Sequence, residues 1–226
     1  MGILTNTKLK EALSNGEIQI TPTPQDIQPA SIDLTVGDEA FIGSGDEVLK
    51  ISEGKLLVIP AGEMALIVTK EELKLSLKIV GHVGLRSFFT RKGLALLAGP
   101  QIDPGFEGTL HVVLCNLSSK EISLSYGEPF CSVEFDELSE SVETPYAGFY
   151  QSQKGMTPQE LLDIRQRRGY TLSEVTENMQ TIAQYMVTLK ESVNKLRYRT
   201  DKYMIIFIAI LAALVIGIII TIFTFS

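Results

Sequence analysis

Eight apolar residues near the end of the chain, Leu172, Val175, Met179, Ile182, Met186, Leu189, Val193 and Leu196, are separated by alternating steps of three and four. That is a heptad repeat, so the segment is a helix; a strand would alternate its faces at every residue. A helix lying on a globular core carries a broader stripe, whereas this narrow seam predicts association with copies of itself. Leu172, Met179, Met186 and Val193 take the a positions, and Val175, Ile182, Leu189 and Leu196 the d positions. Val and Met at a with Leu, Ile and Val at d leave the number of strands open.

Beyond the seam, Tyr203 to Ser226 holds no charged residue in 24 positions. As a helix it would rise ~36 Å, enough to cross a hydrocarbon core of ~30 Å. Lys195, Arg197, Arg199 and Lys202 stand just before it. The sequence therefore predicts a single-pass C-terminal transmembrane anchor over 203–226, membrane lipid as a partner, and a body on the cytoplasmic side. The N-terminus has no apolar signal stretch, and Asn6 stands where a myristoylation signal following Gly2 wants Ser or Thr, so neither export nor a second anchor is expected.

Two helix starts are written locally. Thr157-Pro158-Gln159-Glu160 places a capping hydroxyl, a proline at the first helical position and a Glu at the third. Thr171-Leu172-Ser173-Glu174 repeats the capping pattern after Gly169. These divide the C-terminal part into a short linker helix over 157–170 and a coiled-coil stalk over 171–202, about 45 Å long.

The preceding body is of another kind. Residues 1–155 carry 12 basic and 21 acidic residues against 8 and 6 in 156–226. So acidic a body argues against nucleic acid as a partner, which needs Lys and Arg to neutralise phosphates. A small anionic ligand still fits if a local cationic pocket exists. Cys115 and Cys131 are too few for a disulfide framework and suit a reducing compartment. His82 and His111 are isolated, so no zinc site is expected. A helix over Thr7–Ser14 ends at Asn15-Gly16. Short apolar runs follow, punctuated by Gly and Pro: Leu56–Ile59, Met64–Val68, Gly93–Leu97, Leu110–Leu114, Ile122–Leu124 and Phe130–Phe135. They predict a mainly β sandwich or barrel-like domain.

Three motifs carry more. Pro29-Ala30-Ser31-Ile32-Asp33-Leu34-Thr35-Val36-Gly37 comes first, then Gly84-Leu85-Arg86-Ser87-Phe88-Phe89-Thr90-Arg91-Lys92-Gly93-Leu94, then Gln101-Ile102-Asp103-Pro104-Gly105-Phe106-Glu107-Gly108. With the closing Tyr150-Gln151-Ser152-Gln153-Lys154-Gly155, they resemble the dCTP deaminase/dUTPase family, nearer its deaminase branch, over about residues 1–156. The resemblance implies a distorted jelly-roll head and a homotrimer with deoxypyrimidine nucleoside triphosphate sites between subunits. A trimeric head would set the stalk at three strands.

By the same resemblance Arg86, Ser87 and Arg91 face the phosphates, Phe106 packs on the deoxyribose, and Tyr146 and Gln153 belong to the segment that closes over the nucleotide. Asp103 matches the carboxylate that activates water in dUTPases; the deaminases keep it too. Asp33 supports the site structurally or through a Mg²⁺–water shell, and Mg²⁺ arrives with the triphosphate, with no direct protein metal site. One departure decides the chemistry. Deaminases carry a proton-shuttling glutamate ten positions after this Asp, where this chain has Val113. A valine transfers no proton, so deamination is not expected. Leu97 stands where the dUTPase branch reads uracil with Asn, that branch's Gly-rich closing arm is missing, Phe88 and Phe89 replace smaller residues in the cradle, and Phe149 stands where the deaminase branch tends to carry a phosphate-binding Lys. The expectation is a membrane-anchored trimeric nucleotide sensor, with an antiphage membrane output as a hypothesis. The alternatives are a tethered pyrophosphohydrolase using Asp103, water and Mg²⁺, and an inert trimeric scaffold.

Overall fold

The computed structural model describes the backbone of residues 2–97, 99–167 and 172–224; in the last helix, side chains are described over 174–212 and at 214. The chain forms two compact units, Met1–Ser173 and Glu174–Ser226. The second capping pattern and Gly169 lie outside the described residues.

In the first unit, helix α1 (Asn6–Asn15) follows an extended Thr5 and stops at Gly16, whose φ of 82° is a left-handed cap that an L side chain adopts at a cost. Eleven strands follow: β1 (Ile18–Thr21), β2 (Ile32–Ile42), β3 (Leu49–Lys50), β4 (Leu56–Ile59), β5 (Met64–Leu75), β6 (Ile79–Leu85), β7 (Leu94–Leu96), β8 (Gln101–Ile102), β9 (Glu107–Asn116), β10 (Ile122–Ser125) and β11 (Pro129–Glu137). One turn of helix, α2 (Ser87–Thr90), separates β6 from β7, and α3 (Pro158–Arg167) closes the unit. The main sheet runs β7-β9-β5-β2-β11-β6-β8, with β1 on β5 and β3 on β2, while β4 and β10 make a separate ribbon. Every pairing between these strands is antiparallel. The unit is mainly β, as expected.

The core is apolar and closely filled, with Phe89, Phe130, Phe135, Leu34, Ile67 and Leu114 all buried. Burying one such side chain contributes about 1.5–3 kcal/mol. Apolar runs alone do not reveal β2 or β6: Asp33, Thr35, Asp38 and Glu39 interrupt the first, and Gly81, His82 and Gly84 the second. In β2 these polar residues share a strand with buried Ile32, Leu34 and Val36. Strand β9 alternates cleanly: Gly108, Leu110, Val112, Leu114 and Asn116 are buried, and Thr109, His111, Val113 and Cys115 lie half-buried on its other face. That second face is the one the candidate site uses.

The second unit is part of α4 (Leu172–Thr224), a single uninterrupted helix of 53 residues. The described seam residues, Val175 to Leu196, are exposed within one chain, Met179 at 67% and Leu189 at 65%. Among the described residues no helix is long and apolar enough to cross a membrane. This corrects three expectations together: the transmembrane anchor over 203–226, the membrane localisation and the lipid partner. Among the described side chains of α4, the apolar stretch begins at Tyr203. The helix before it carries Lys195, Arg197, Arg199, Asp201 and Lys202, which close any apolar window on that side.

Candidate functional site

The residues expected to face phosphate collect beside β6. Arg86 precedes α2, and its guanidinium donates to the Pro129 carbonyl at 3.3 Å, while its Nε lies 3.5 Å from a carboxylate oxygen of Asp33. The other Asp33 oxygen accepts from the Ser132 hydroxyl. Asp33 is thus a support for Arg86: it orients a guanidinium that stays 40% exposed and free to meet an anion. Arg86, Ser87, Asp33, Gln28, Ser31 and Ser132 line a cavity of about 560 Å³. Arg91 does not line it; it is exposed at the far end of α2.

Asp103, Phe106, Tyr146 and Gln153 meet elsewhere, around a second cavity of about 380 Å³ that Val83 borders in common with the first. The turn after β8 brings Asp103 there, where it accepts a hydrogen bond from the Gln101 amide. Phe106 is buried and lies with its ring 6.0 Å from that of Tyr146. Two threads bind the closing segment, one to the turn before β9 and one to β9 itself. The Tyr146 N–H donates to the Pro104 carbonyl at 2.9 Å, and the Gln153 side-chain amide donates to the Thr109 carbonyl, also at 2.9 Å. Gly108 makes the second thread possible. Its φ is 144°, and a Cβ there would stand 2.7 Å from the Gln153 carbonyl oxygen. The Gln153 amide nitrogen is thereby engaged with protein, leaving the side-chain oxygen for other partners. Among the described residues lining this cavity there is no Lys or Arg.

Val113 also borders the second cavity, and its side chain packs with Phe41, Leu66 and Ile164 of an apolar cluster completed by Met156 and Leu161. Ile164 and Leu161 come from α3. The position where the family resemblance implies a glutamate is therefore also where α3 docks onto the sheet, and an apolar residue there is what the docking needs.

The same helix contributes a residue that the sequence reading saw only as a cap. Glu160 Oε2 accepts from the Thr157 N–H and hydroxyl, each at 2.8 Å, which realises the expected capping box. Its Oε1 lies 2.7 Å from Nδ1 of His111 on β9, with the two side chains 14% and 5% exposed. Burial by itself would raise the Glu160 carboxyl, but the hydrogen bonds from His111 and Thr157 outweigh it and hold the group below its usual value. His111, Glu160 and Asp163 all border the cavity. Period-two reading of β9 puts His111 on the face of Val113, but no local signal announces a partner 49 residues away.

Among the described residues no cluster of three or more His, Cys, Asp or Glu is placed to hold a metal ion. Arg86, Asp33 and Ser132 already use one another as partners. A divalent ion here would have to find its ligands on the phosphates themselves.

An antiparallel β head with Arg86 at one cavity and an aromatic, acid-lined cavity beside it can be compared with known proteins. The family described as dCTP deaminase-like matches residues 3–138, and the chain belongs to that family. A dCTP deaminase of Pyrococcus horikoshii is 41% identical over 136 residues, 60% of this chain and 85% of that protein. A dCTP deaminase, dUMP-forming, of Methanobrevibacter smithii is 31% identical over 166 residues, 65% of this chain and 86% of that protein. The crystal structure of 2′-deoxycytidine 5′-triphosphate deaminase from Agrobacterium tumefaciens superposes with a TM-score of 0.53 at 16% identity, covering 61% of this chain and about half (48%) of that one. The two share a fold. Helix α3, and with it Glu160, lies beyond the family match.

Proposed function

We propose that the head binds a deoxypyrimidine nucleoside triphosphate between copies of the chain and does so without deaminating it. The observation that carries this reading is the distribution of charge between the two cavities. The aromatic cavity has the dimensions and rings for a deoxynucleoside but no Lys or Arg among its described lining residues, while Arg86 stands in the other. A triphosphate brings about four negative charges and needs cations near it. A second copy supplying its Arg86 and Ser87 resolves the mismatch and agrees with the trimer that the family resemblance implies. Asp103, Phe106, Tyr146 and Gln153 then belong to one protomer's half-site and Arg86, Ser87 and Asp33 to the other's. Arg91 keeps a role only as a more distant cation. Three copies in the head bring three α4 seams into play, and a three-stranded coiled coil over 171–202 would bury the exposed a and d residues.

Deamination is left out because the residue ten positions after Asp103 is Val113, packed against α3. Binding without turnover is the behaviour of a nucleotide sensor. A second reading, pyrophosphate release by a water molecule held at Asp103, is favoured by the place of that carboxylate in the cavity wall and by the dUMP-forming activity in the name of the Methanobrevibacter relative. In either reading Mg²⁺ travels with the triphosphate, its charge neutralising phosphate oxygens. The test is incubation of the full chain with each dNTP and Mg²⁺, followed by anion-exchange separation of products, with Asp103→Ala alongside. Unchanged nucleotide that raises the melting temperature supports the sensor. A monophosphate lost in the variant supports hydrolysis, and a uridine product from dCTP overturns the Val113 argument.

A further inference from the structure

His111 carries an unexplained atom. Its Nε2 is buried and has no hydrogen-bond partner among the described residues, although the side chain is only 5% exposed and borders the aromatic cavity. Leaving a buried polar nitrogen unpaired costs about 1–3 kcal/mol, so such groups in folded proteins are generally satisfied by something. The other ring nitrogen is fully accounted for, 2.7 Å from Glu160 Oε1. Since Glu160 is held in its ionised form, it accepts, and Nδ1 carries the proton. That leaves Nε2 as the ring nitrogen without a protein partner among the described residues.

We infer that His111, with Glu160 holding its single ring proton on Nδ1, is the residue of this chain that reads the nucleobase, accepting a hydrogen bond from a ring N–H on the Nε2 lone pair and so favouring uracil or thymine over cytosine. The inference rests on the nucleotide reading above and adds the choice of base to it. Uracil and thymine present a donor at N3, which complements a lone pair; cytosine presents an acceptor at N3, which repels one. His111 would touch the ligand and is a specificity residue. Glu160 acts through it, as a positioning residue, by fixing the tautomer. Glu160 comes from α3, outside the matched family region. It also places a base-reading group two residues before Val113, on the same strand face.

The experiment is calorimetric titration of the full chain with dUTP, dCTP and N3-methyl-dUTP, repeated on His111→Ala, Glu160→Gln and Glu160→Leu. Wild type is expected to prefer dUTP over both others by about tenfold, one hydrogen bond's worth in a buried site. His111→Ala should bind all three alike. Glu160→Gln, which still accepts from Nδ1–H, should keep most of the preference, and Glu160→Leu should lose it. A folding defect in a variant is separated from a lost contact by ¹⁵N NMR of the His111 ring in wild type, where Nε2 should move on addition of dUTP while Nδ1 stays protonated. If dUTP binds but His111→Ala retains the preference, or the Nε2 signal does not respond, the inference is overturned while the nucleotide reading stands. If wild type binds none of the nucleotides, the nucleotide reading itself falls.

Discussion

Asp33 holds Arg86 through a carboxylate 3.5 Å from Nε, and because Asp33 sits on β2 and Arg86 at the end of β6, the pair spans the intervening strand β11. Strand pairing thus brings the carboxylate to a guanidinium that stands at the junction between β6 and α2. Arg86→Ala is expected to weaken dUTP binding by roughly 10- to 100-fold, the loss of one or two charge-assisted hydrogen bonds. Asp33→Ala, which leaves the arginine in place but unaimed, should cost only about 3- to 10-fold. Titration at low and high salt checks both, since a phosphate contact weakens as salt is added.

Glu160 links stability to pH. Its carboxyl lies below its ordinary 4.5 in the folded state, so folding is favoured by its ionised form. The contribution is present in full above the unfolded value and fades as the pH falls through the lower folded one. Thermal melts of wild type and Glu160→Gln should therefore differ by a constant amount from neutral pH to about 5, with the variant lower, and converge in more acid solution. A difference that grows on acidification would reverse the assignment.

Gly108→Ala should displace the closing segment. The added methyl would meet the Gln153 carbonyl at 2.7 Å with the backbone in a region that suits glycine, a penalty of about 1–3 kcal/mol. Hydrogen exchange reads this locally: the amides of Thr109 and Ser152, which donate to Gln153 and Glu107, should lose protection before the core strands do.

Restoring an acid at position 113 should not restore deamination. In Val113→Glu the carboxylate would enter the cluster of Phe41, Leu66 and Ile164, at a cost of at least about 2 kcal/mol. The expected result is a lower melting temperature, α3 released from the sheet to protease, and no uridine product from dCTP. Product formation would show that α3 yields readily and that only the acid was missing.

Cys131 is fully buried, and burial pushes its thiol far above the usual range; Cys115, half-buried, is raised as well. In a native sample a thiol reagent should label Cys115 slowly and Cys131 only on unfolding. Fast modification of both would contradict the packing around β11.

Much of this was readable in the residues. The heptad steps from Leu172 to Leu196 required a helix, and α4 supplies it; Gly16 ended α1 where a left-handed cap was expected. Thr157 and Glu160 wrote their own capping box. What the residues did not disclose is mostly long-range. Strand order decides that Arg86 and Asp103 open onto different cavities, and nothing in the local spacing of the two motifs reveals it. Val113 reads as a lost acid, and its second role, as the seat of Ile164, depends on a helix about 50 residues further on. The apolar stretch after Tyr203 was over-read: composition suggested a membrane span that the described helix does not provide.

One carboxylate, that of Glu160, both closes the first turn of α3 and pins the His111 ring. The span from Gln153, hydrogen-bonded to β9, to Thr157 at the helix start is therefore a fixed length: adding or removing a residue in it would shift α3 against the sheet and part Glu160 from His111 while leaving the Thr157 cap intact. Relatives of this chain that retain the latch should vary in sequence across that span while keeping its residue count.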